Sequence, residues 1–415
     1  MKAVGIIAEY NPFHNGHAHQ IATIRRKAPC DAVVAVISGH FTQRGEAASF
    51  TKWQRANLAL LGGADLVIEL PFAFAVRSGA YFAAGGVRLL NALGVSYLSF
   101  GAESTSLAPL LTAAQAQLSP TLGSELAPYL AQGMPYAAAL THLLDEQYQI
   151  PPAITSSPNN ILAIEYLKAI LTYAPHITPL HIVRHGSSHH SDSLDDSALA
   201  SSSAIRAVLS EKSPSLERLA PYIPLATVPY LARYWEVNGG LSNLELLSPL
   251  VFGLLHTTNK TRLIETAGIA EGLENKFLSA SLTANTIDDL LNQVKSKRYP
   301  RTRLNRILLH YIFGSTKDMI DRFDAIGPQY IRILGMNDRG QAYLREHKKK
   351  TQLPIITKLT SYFNQYDLLS PGKDPFKSML ALDVRSANVY ARLFDTPLAM
   401  NQDFTTSPIR LSISE

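Results

Sequence analysis

The sequence predicts an α/β chain in which a doubly wound parallel sheet is followed by a mainly α-helical second domain. Short apolar runs separated by helical patterns fill the first hundred residues, strand signals stop beyond about residue 211, and charge divides unevenly between the halves. Residues 1–210 hold 12 Lys and Arg against 13 Asp and Glu, whereas residues 211–415 hold 26 against 20. A near-neutral half followed by a basic one is the pattern of a catalytic unit joined to a polyanion-binding unit, although basic surfaces often bind nothing in particular.

The runs Ala3 to Ala8, Ala32 to Ile37, Asp65 to Leu70 and Ser96 to Phe100 are predominantly apolar. That is the mark of strands buried on both faces of a parallel sheet. His17 to Lys27, Lys52 to Leu61 and Ala80 to Leu93 have helical spacing between them, and the handedness of βαβ crossovers makes the sheet doubly wound. Residues 105–175 are Ala- and Leu-rich, with Pro120, Pro128, Pro135, Pro151 and Pro152 as punctuation. They read as a helical insertion before the next strand at Leu180 to Val183. A polar loop then leads to Ser201-Ser202-Ser203 and a helix from Ala204. In residues 211–415, Asn243 to Thr257, Thr286 to Lys295, Arg303 to Tyr311 and Arg385 to Leu393 are helical by the same criterion.

At 415 residues the chain has room for two or three cores, and 46% hydrophobic with 17% charged residues marks a folded soluble protein rather than a disordered one. No stretch reaches the ~18 apolar residues of a bilayer span, and no signal-peptide pattern opens the chain, so a cytoplasmic, membrane-free protein is expected. The single cysteine, Cys30, excludes an internal disulfide and reads as a structural thiol, since no activating base is evident near it.

Chemistry concentrates where the first strand ends, at Glu9-Tyr10-Asn11-Pro12-Phe13-His14-Asn15-Gly16-His17. A loop at the carboxyl end of a parallel strand opens on the ligand crevice, and the amide-rich end of the next helix favours phosphate there. Gly16 leaves room for close approach of a nucleotide, and His14 and His17 set two imidazoles beside its α- and β-phosphates. Their N–H groups would stabilise charge growing on phosphorus and on leaving pyrophosphate. Two histidines three apart at a helix start also serve as plain caps. The full strand, Asn-Pro-Phe, His-x-Gly-His and helix context favours adenylyl transfer.

His14-Asn15-Gly16-His17 resembles the HxGH signature of nucleotidyltransferases and class I aminoacyl-tRNA synthetases. The longer string Gly5 to His17, with Ser38 to Glu46 and Asp65 to Pro71, is similar to the tRNA(Met) cytidine acetate ligase family. The likeness continues through Phe100 to Glu103, Pro158 to Leu162, Lys297 to Tyr299 with Arg301 to Arg303, and Pro354 to Lys358, and so spans nearly the whole chain. It implies a nucleotidyltransferase-like (HUP) fold and an enzyme that converts acetate and ATP to acetyladenylate, then acetylates N4 of the wobble cytidine of elongator tRNA(Met). It also implies ATP contacts from Ile7, Ala8, Glu9, Tyr10, Asn11, Pro12, Phe13, His14, Asn15, Gly16, His17 and Gln20, with Gly101, Asn160 and Arg184.

Ser201 to Arg206 resembles the Ser-rich, Arg-ending motif that closes such nucleotide sites, which puts Ser202 and Arg206 on ATP; an ordinary N-cap with a surface Arg is the alternative. Arg44 follows the second strand and is either a ligand for phosphate, acetate or tRNA, or a solvated loop residue. Glu69 and Glu103 sit at strand ends, where carboxylates hold Mg²⁺ or ribose, or merely cap helices. His185, His189, His190 and Asp192 suggest a metal, but their flexible Ser-rich spacing favours solvent exposure, and no resident metal is expected beyond the Mg²⁺ that accompanies ATP. Residues 295–306 (KSKRYPRTRLNR) carry six basic residues and Tyr299 for base stacking. With Lys348 and Lys349, the residues Lys297, Arg298, Arg301 and Arg303 are the expected tRNA contacts. A small-molecule adenylyltransferase would leave about 200 basic, helical residues idle. A non-catalytic RNA- or ribosome-associated protein would have no use for His14, Gly16 and His17 together.

Overall fold

The computed structural model describes residues 1–184, 200–211, 216–238 and 240–412. Strands β1 (Ala3–Ala8), β2 (Ala32–Ser38), β3 (Leu66–Leu70), β4 (Tyr97–Ala102) and β5 (Thr178–Val183) pair in parallel in the order β5-β4-β1-β2-β3. They are the runs expected from the sequence, shifted at their ends by one or two residues. β2 and β3 have no exposed position. Helices Asn15–Lys27 (α1), Lys52–Leu61 (α2) and Gly79–Ala92 supply the crossovers, and five helices between Ala108 and Tyr173 form the insertion between β4 and β5.

The expectation that strands cease beyond residue 211 does not hold. β6 (Ile331–Asn337) is buried along its whole length and pairs antiparallel with β3, while β7 (Ile355–Ile356) and β8 (Ile409–Leu411) add to β6 in parallel. The sheet is therefore mostly parallel with one antiparallel junction. Arg332, Gly335 and Asn337 interrupt the apolar run of β6 and hide it from a hydrophobicity reading. Arg332 is tolerated inside because its guanidinium donates to the Asp403 carbonyl at 2.9 Å and carboxylate at 3.2 Å. One continuous hydrophobic core runs from Ala3 and Val34 to Tyr343 and Leu380, so both halves of the chain bury a common interior.

Otherwise the second half is helical, as expected, with Arg301–Phe313, Lys317–Ile326 and Pro375–Tyr390 among its helices. Among the described residues no helix is long and apolar enough to cross a membrane.

Candidate active site

β1 delivers the chain to the carboxyl edge of the sheet, and residues 9–14 turn it back into α1. Tyr10 and Phe13 are buried with ring centroids 4.8 Å apart, and Asn11 accepts the Ser49 amide at 2.7 Å. This apolar footing fixes the loop. His14 is the N-cap of α1: its Nδ1 accepts the Gly16 amide at 3.1 Å, while His17 Nδ1 accepts the His14 amide at 3.2 Å. The two rings stack with centroids 3.8 Å apart.

An imidazole that accepts at Nδ1 carries its proton on Nε2 when neutral. Both histidines are held neutral. Burial, with the charges of Arg184 and Arg206 adding to it, pushes His14 down to about 3. Burial, His14 and Arg184 hold His17 well below the ordinary histidine range. Each therefore presents one Nε2–H donor without bringing a charge of its own.

The structure changes two details of the expected phosphate site. The first amides of α1 are already engaged: Asn15 N–H donates to the Tyr222 carbonyl at 2.9 Å, Gly16 N–H to His14, and His17 N–H to the His14 carbonyl at 2.9 Å. The first amides of α1 are thus not free to receive a ligand, and the uncommitted donors beside the loop are side-chain ones. Gly16 is also explained by its neighbour: a Cβ there would lie 2.9 Å from His14 Cε1, so glycine makes room for the capping ring.

Arg184 and Arg206 bring positive charge to the histidines from two other elements. Arg206, on helix Ser202–Leu209, donates to the Asn11 carbonyl at 2.8 Å, which fastens that helix to the loop; Ser201 caps it by accepting the Ala204 amide. Ser202, its first residue, is half-buried. Arg184 follows β5, and its side chain lies over Gly101, where a Cβ would stand 3.0 Å from Arg184 Cγ. Burial lowers the Arg184 pKa, and Glu103 opposes that shift. Asn160 is buried and accepts the Ser104 amide at 2.9 Å, and Gln20 reaches Ser99 at 3.3 Å. Residues expected from five separate segments thus meet at the carboxyl ends of β1, β4 and β5.

Glu69 and Glu103 resolve toward structural roles. Glu103 accepts from the amides of Asn159 and Asn160 and so caps helix Pro158–Tyr173. Glu69 is buried against Lys52 at 2.8 Å, with Asp403 on the same ammonium at 2.6 Å, so its carboxylate is engaged in an internal ion pair. Among the described residues no three His, Cys, Asp or Glu side chains come together as metal ligands. His185, His189, His190 and Asp192 lie outside the described residues.

Sequence reasoning passed over Arg55 and Gln43. Arg55, fully buried on α2, donates to the carbonyls of Glu9 at 2.6 Å, Phe50 at 3.1 Å and Ser38 at 2.9 Å, and to Gly39. It ties the ends of β1 and β2 together. Burial brings its pKa down to about 10. The Gln43 amide donates to the Glu9 carboxylate at 2.6 Å, and burial raises that carboxyl above its usual range. The signal was present: two cations three residues apart on an apolar helix, Lys52 and Arg55, facing a strand with an acid inside it, Glu69.

The expected tRNA contacts come from the loop after β2, from the start of helix Arg301–Phe313 and from the residues after His347, and Asn305 of that helix donates to the Arg44 carbonyl at 3.5 Å. Arg44, Lys297, Lys348 and Lys349 are exposed. Arg298 is exposed and paired with Glu271; Arg301 reaches Asp288 at 2.8 Å. Tyr299 is buried, with its hydroxyl on the Ala270 carbonyl and Arg303 4.7 Å above its ring, so it supports Arg303 and is not open to a base.

A family model described as HIGH Nucleotidyl Transferase matches residues 1–404. The chain is 41% identical over 390 residues to a tRNA(Met) cytidine acetate ligase of Thermoanaerobacter sp., covering 92% of this chain and 94% of that protein. It is 35% identical over 414 residues to the protein of that name from Geobacillus sp., covering 99% and 100%. Two crystal structures of Thermotoga maritima TmcAL, each 30% identical and covering 99% of this chain and 100% of that one, superpose on it. The apo form gives a TM-score of 0.90, and the form bound with alpha-thio ATP 0.89.

Proposed function

Because the chain belongs to the HIGH nucleotidyltransferase family, and within it to the tRNA(Met) cytidine acetate ligases, we propose that it activates acetate with ATP and acetylates the wobble cytidine of elongator tRNA(Met). An acetate oxygen attacks the α-phosphorus of ATP and pyrophosphate leaves. The N4 amine of cytidine then attacks the carbonyl carbon of acetyladenylate, AMP leaves, and N4 gives up one proton.

The observation that carries this reading is the pair of neutral, reciprocally capped imidazoles with Arg184 and Arg206 beside them. His14 and His17 donate from Nε2 to oxygens on which charge grows during attack, and Arg184 and Arg206 neutralise the polyphosphate. Donors fixed before substrate arrives need no reorganisation at the transition state. The α1 dipole adds positive potential at the same place. Gly101 and Asn160, at the end of β4 and the start of helix Pro158–Tyr173, line the nucleoside side.

Mg²⁺ would arrive on ATP, with phosphate oxygens and water as most of its ligands, which fits a site whose described residues form no carboxylate cage. Burial of Tyr10, Phe13 and His14 keeps bulk water from the loop and favours survival of the mixed anhydride. Exposed basic residues of 211–415, with Arg44, form the tRNA-binding unit in this reading, and the activity operates in the cytoplasm.

The test is to incubate purified protein with Mg-ATP and radiolabelled acetate, with and without bulk tRNA, and digest the RNA to nucleosides. Label in N4-acetylcytidine that requires ATP and His14 supports the reading. Absence of label in RNA despite ATP binding would favour a small-molecule adenylyltransferase.

A further inference from the structure

A cavity of about 420 Å³ lies between helix Gly79–Ala92 and helices Arg301–Phe313 and Lys317–Ile326, away from the histidine loop. Arg77, Arg303, Arg306 and Lys317 line it, against one lining acid, Asp321. Arg77 is partly neutralised by Asp324 at 2.7 Å, and its guanidinium lies 3.8 Å from the centre of the Tyr81 ring, which is 40% exposed at the cavity wall. His310, only 3% exposed, gives Nε2 to the Val76 carbonyl at 3.0 Å and leaves Nδ1 without a partner.

Concentrating four cations around one cavity is unfavourable without an anion to face them. Burial and the neighbouring Arg303 and Arg77 bring Arg306 down to about 10. The cavity is also wired to the ATP loop. Arg306 donates to the Gln43 carbonyl at 3.1 Å, and the Gln43 amide donates to the Glu9 carboxylate at 2.6 Å. Residue 43 thus links a wall of the cavity to the loop that follows β1.

We propose that this cavity is a nucleotide-sized subsite for the RNA substrate, with a backbone phosphodiester among Arg303, Arg306 and Lys317 and the adjoining base laid on Tyr81 and Arg77. The assignment rests on the RNA-modifying reading above. Charge supplies the phosphate contact, and the exposed Tyr81 face, stiffened by its stacked arginine, supplies a surface that accepts any base. The subsite would hold the RNA while the target cytidine reaches the adenylate.

The experiment measures binding of a fluorescently labelled RNA hairpin across a salt series for wild type, Arg303→Gln with Lys317→Gln, Arg303→Lys, and Tyr81→Ala. Thermal melting confirms that each variant is folded. Removing two phosphate-facing charges is expected to flatten the log–log salt slope by about 1 to 2 and weaken binding about tenfold or more. Arg303→Lys is expected to keep the slope, and Tyr81→Ala to lose about tenfold in affinity with the slope unchanged. A folded double variant with the wild-type slope would overturn the subsite. So would AMP binding that depends on Arg303 and Lys317 while RNA binding does not, since that would make the ligand a free nucleotide. Acetate-dependent ATP–pyrophosphate exchange by the wild type tests the activity separately: its absence alongside a flattened slope would sink the ligase reading and leave the RNA subsite standing.

Discussion

His17 accepts the backbone amide of His14 at 3.2 Å while its ring stacks on that of His14, whose own Nδ1 accepts the amide of Gly16. The two imidazoles thus hold the helix start and are held by it. Their outward nitrogens are set by the backbone rather than by the arriving nucleotide, and a substitution can separate the capping task from the chemical one.

His14→Asn makes that separation. Asparagine is a strong N-cap, so the helix start survives, but the Nε2–H donor is lost. The melting temperature should change little, while the rate of acetate-dependent ATP–pyrophosphate exchange should fall by about 10² or more. A variant with wild-type exchange would remove His14 from the transition state.

The same variant tests the protonation state. A buried His14 near 3 stays neutral in the folded protein, whereas an unfolded histidine titrates near 6.5. Between these values the unfolded chain binds the extra proton, so the His14 contribution to stability is lost as pH falls. From pH 7 to 5 the wild type should lose about 2 kcal/mol that His14→Asn does not. Urea denaturation of both proteins at the two pH values checks this.

Gly16→Ala should impair adenylation without a direct change to any donor. The added Cβ meets His14 Cε1 at 2.9 Å and must tilt the ring. Displacement of a positioned group by an ångström costs up to about 10² in rate, so kcat for exchange should drop markedly. A crystal structure of the variant with an undisplaced His14 would contradict the explanation.

Lys52 is the single ammonium between Glu69 and Asp403, and all three are buried. Lys52→Met strands the Glu69 carboxyl, whereas Asp403 keeps Arg332 at 3.2 Å, and should cost about 3–5 kcal/mol. Adding Glu69→Gln should return part of that loss, because the stranded charge disappears. Chemical denaturation of the single and double variants measures the coupling, and equal losses in both would deny it.

Much of this molecule was readable beforehand because its early strands are predominantly apolar runs and its histidine motif sits directly between the first strand and the first helix. β6 was not, since Arg332 and Asn337 break the hydrophobic pattern and are paid back only by Asp403 and Asp65, distant in sequence. Tyr299 misled because an aromatic among cations looks the same whether it faces solvent or, as here, the Ala270 carbonyl. Arg55 lay unseen for a related reason: its partners are backbone carbonyls, which carry no letter of their own.

The antiparallel seam between β3 and β6 has a consequence for the newborn protein. A ribosome that has finished the ATP loop must still add some three hundred residues before Ile331 to Asn337 emerge. Until then β3 offers an unpaired edge, apolar but for Glu69, the kind of template on which growing chains stick to one another. The last-made portion of the polypeptide is therefore the guardian of the first, and production of this protein should lean on chaperone custody during synthesis more than a self-contained N-terminal sheet would.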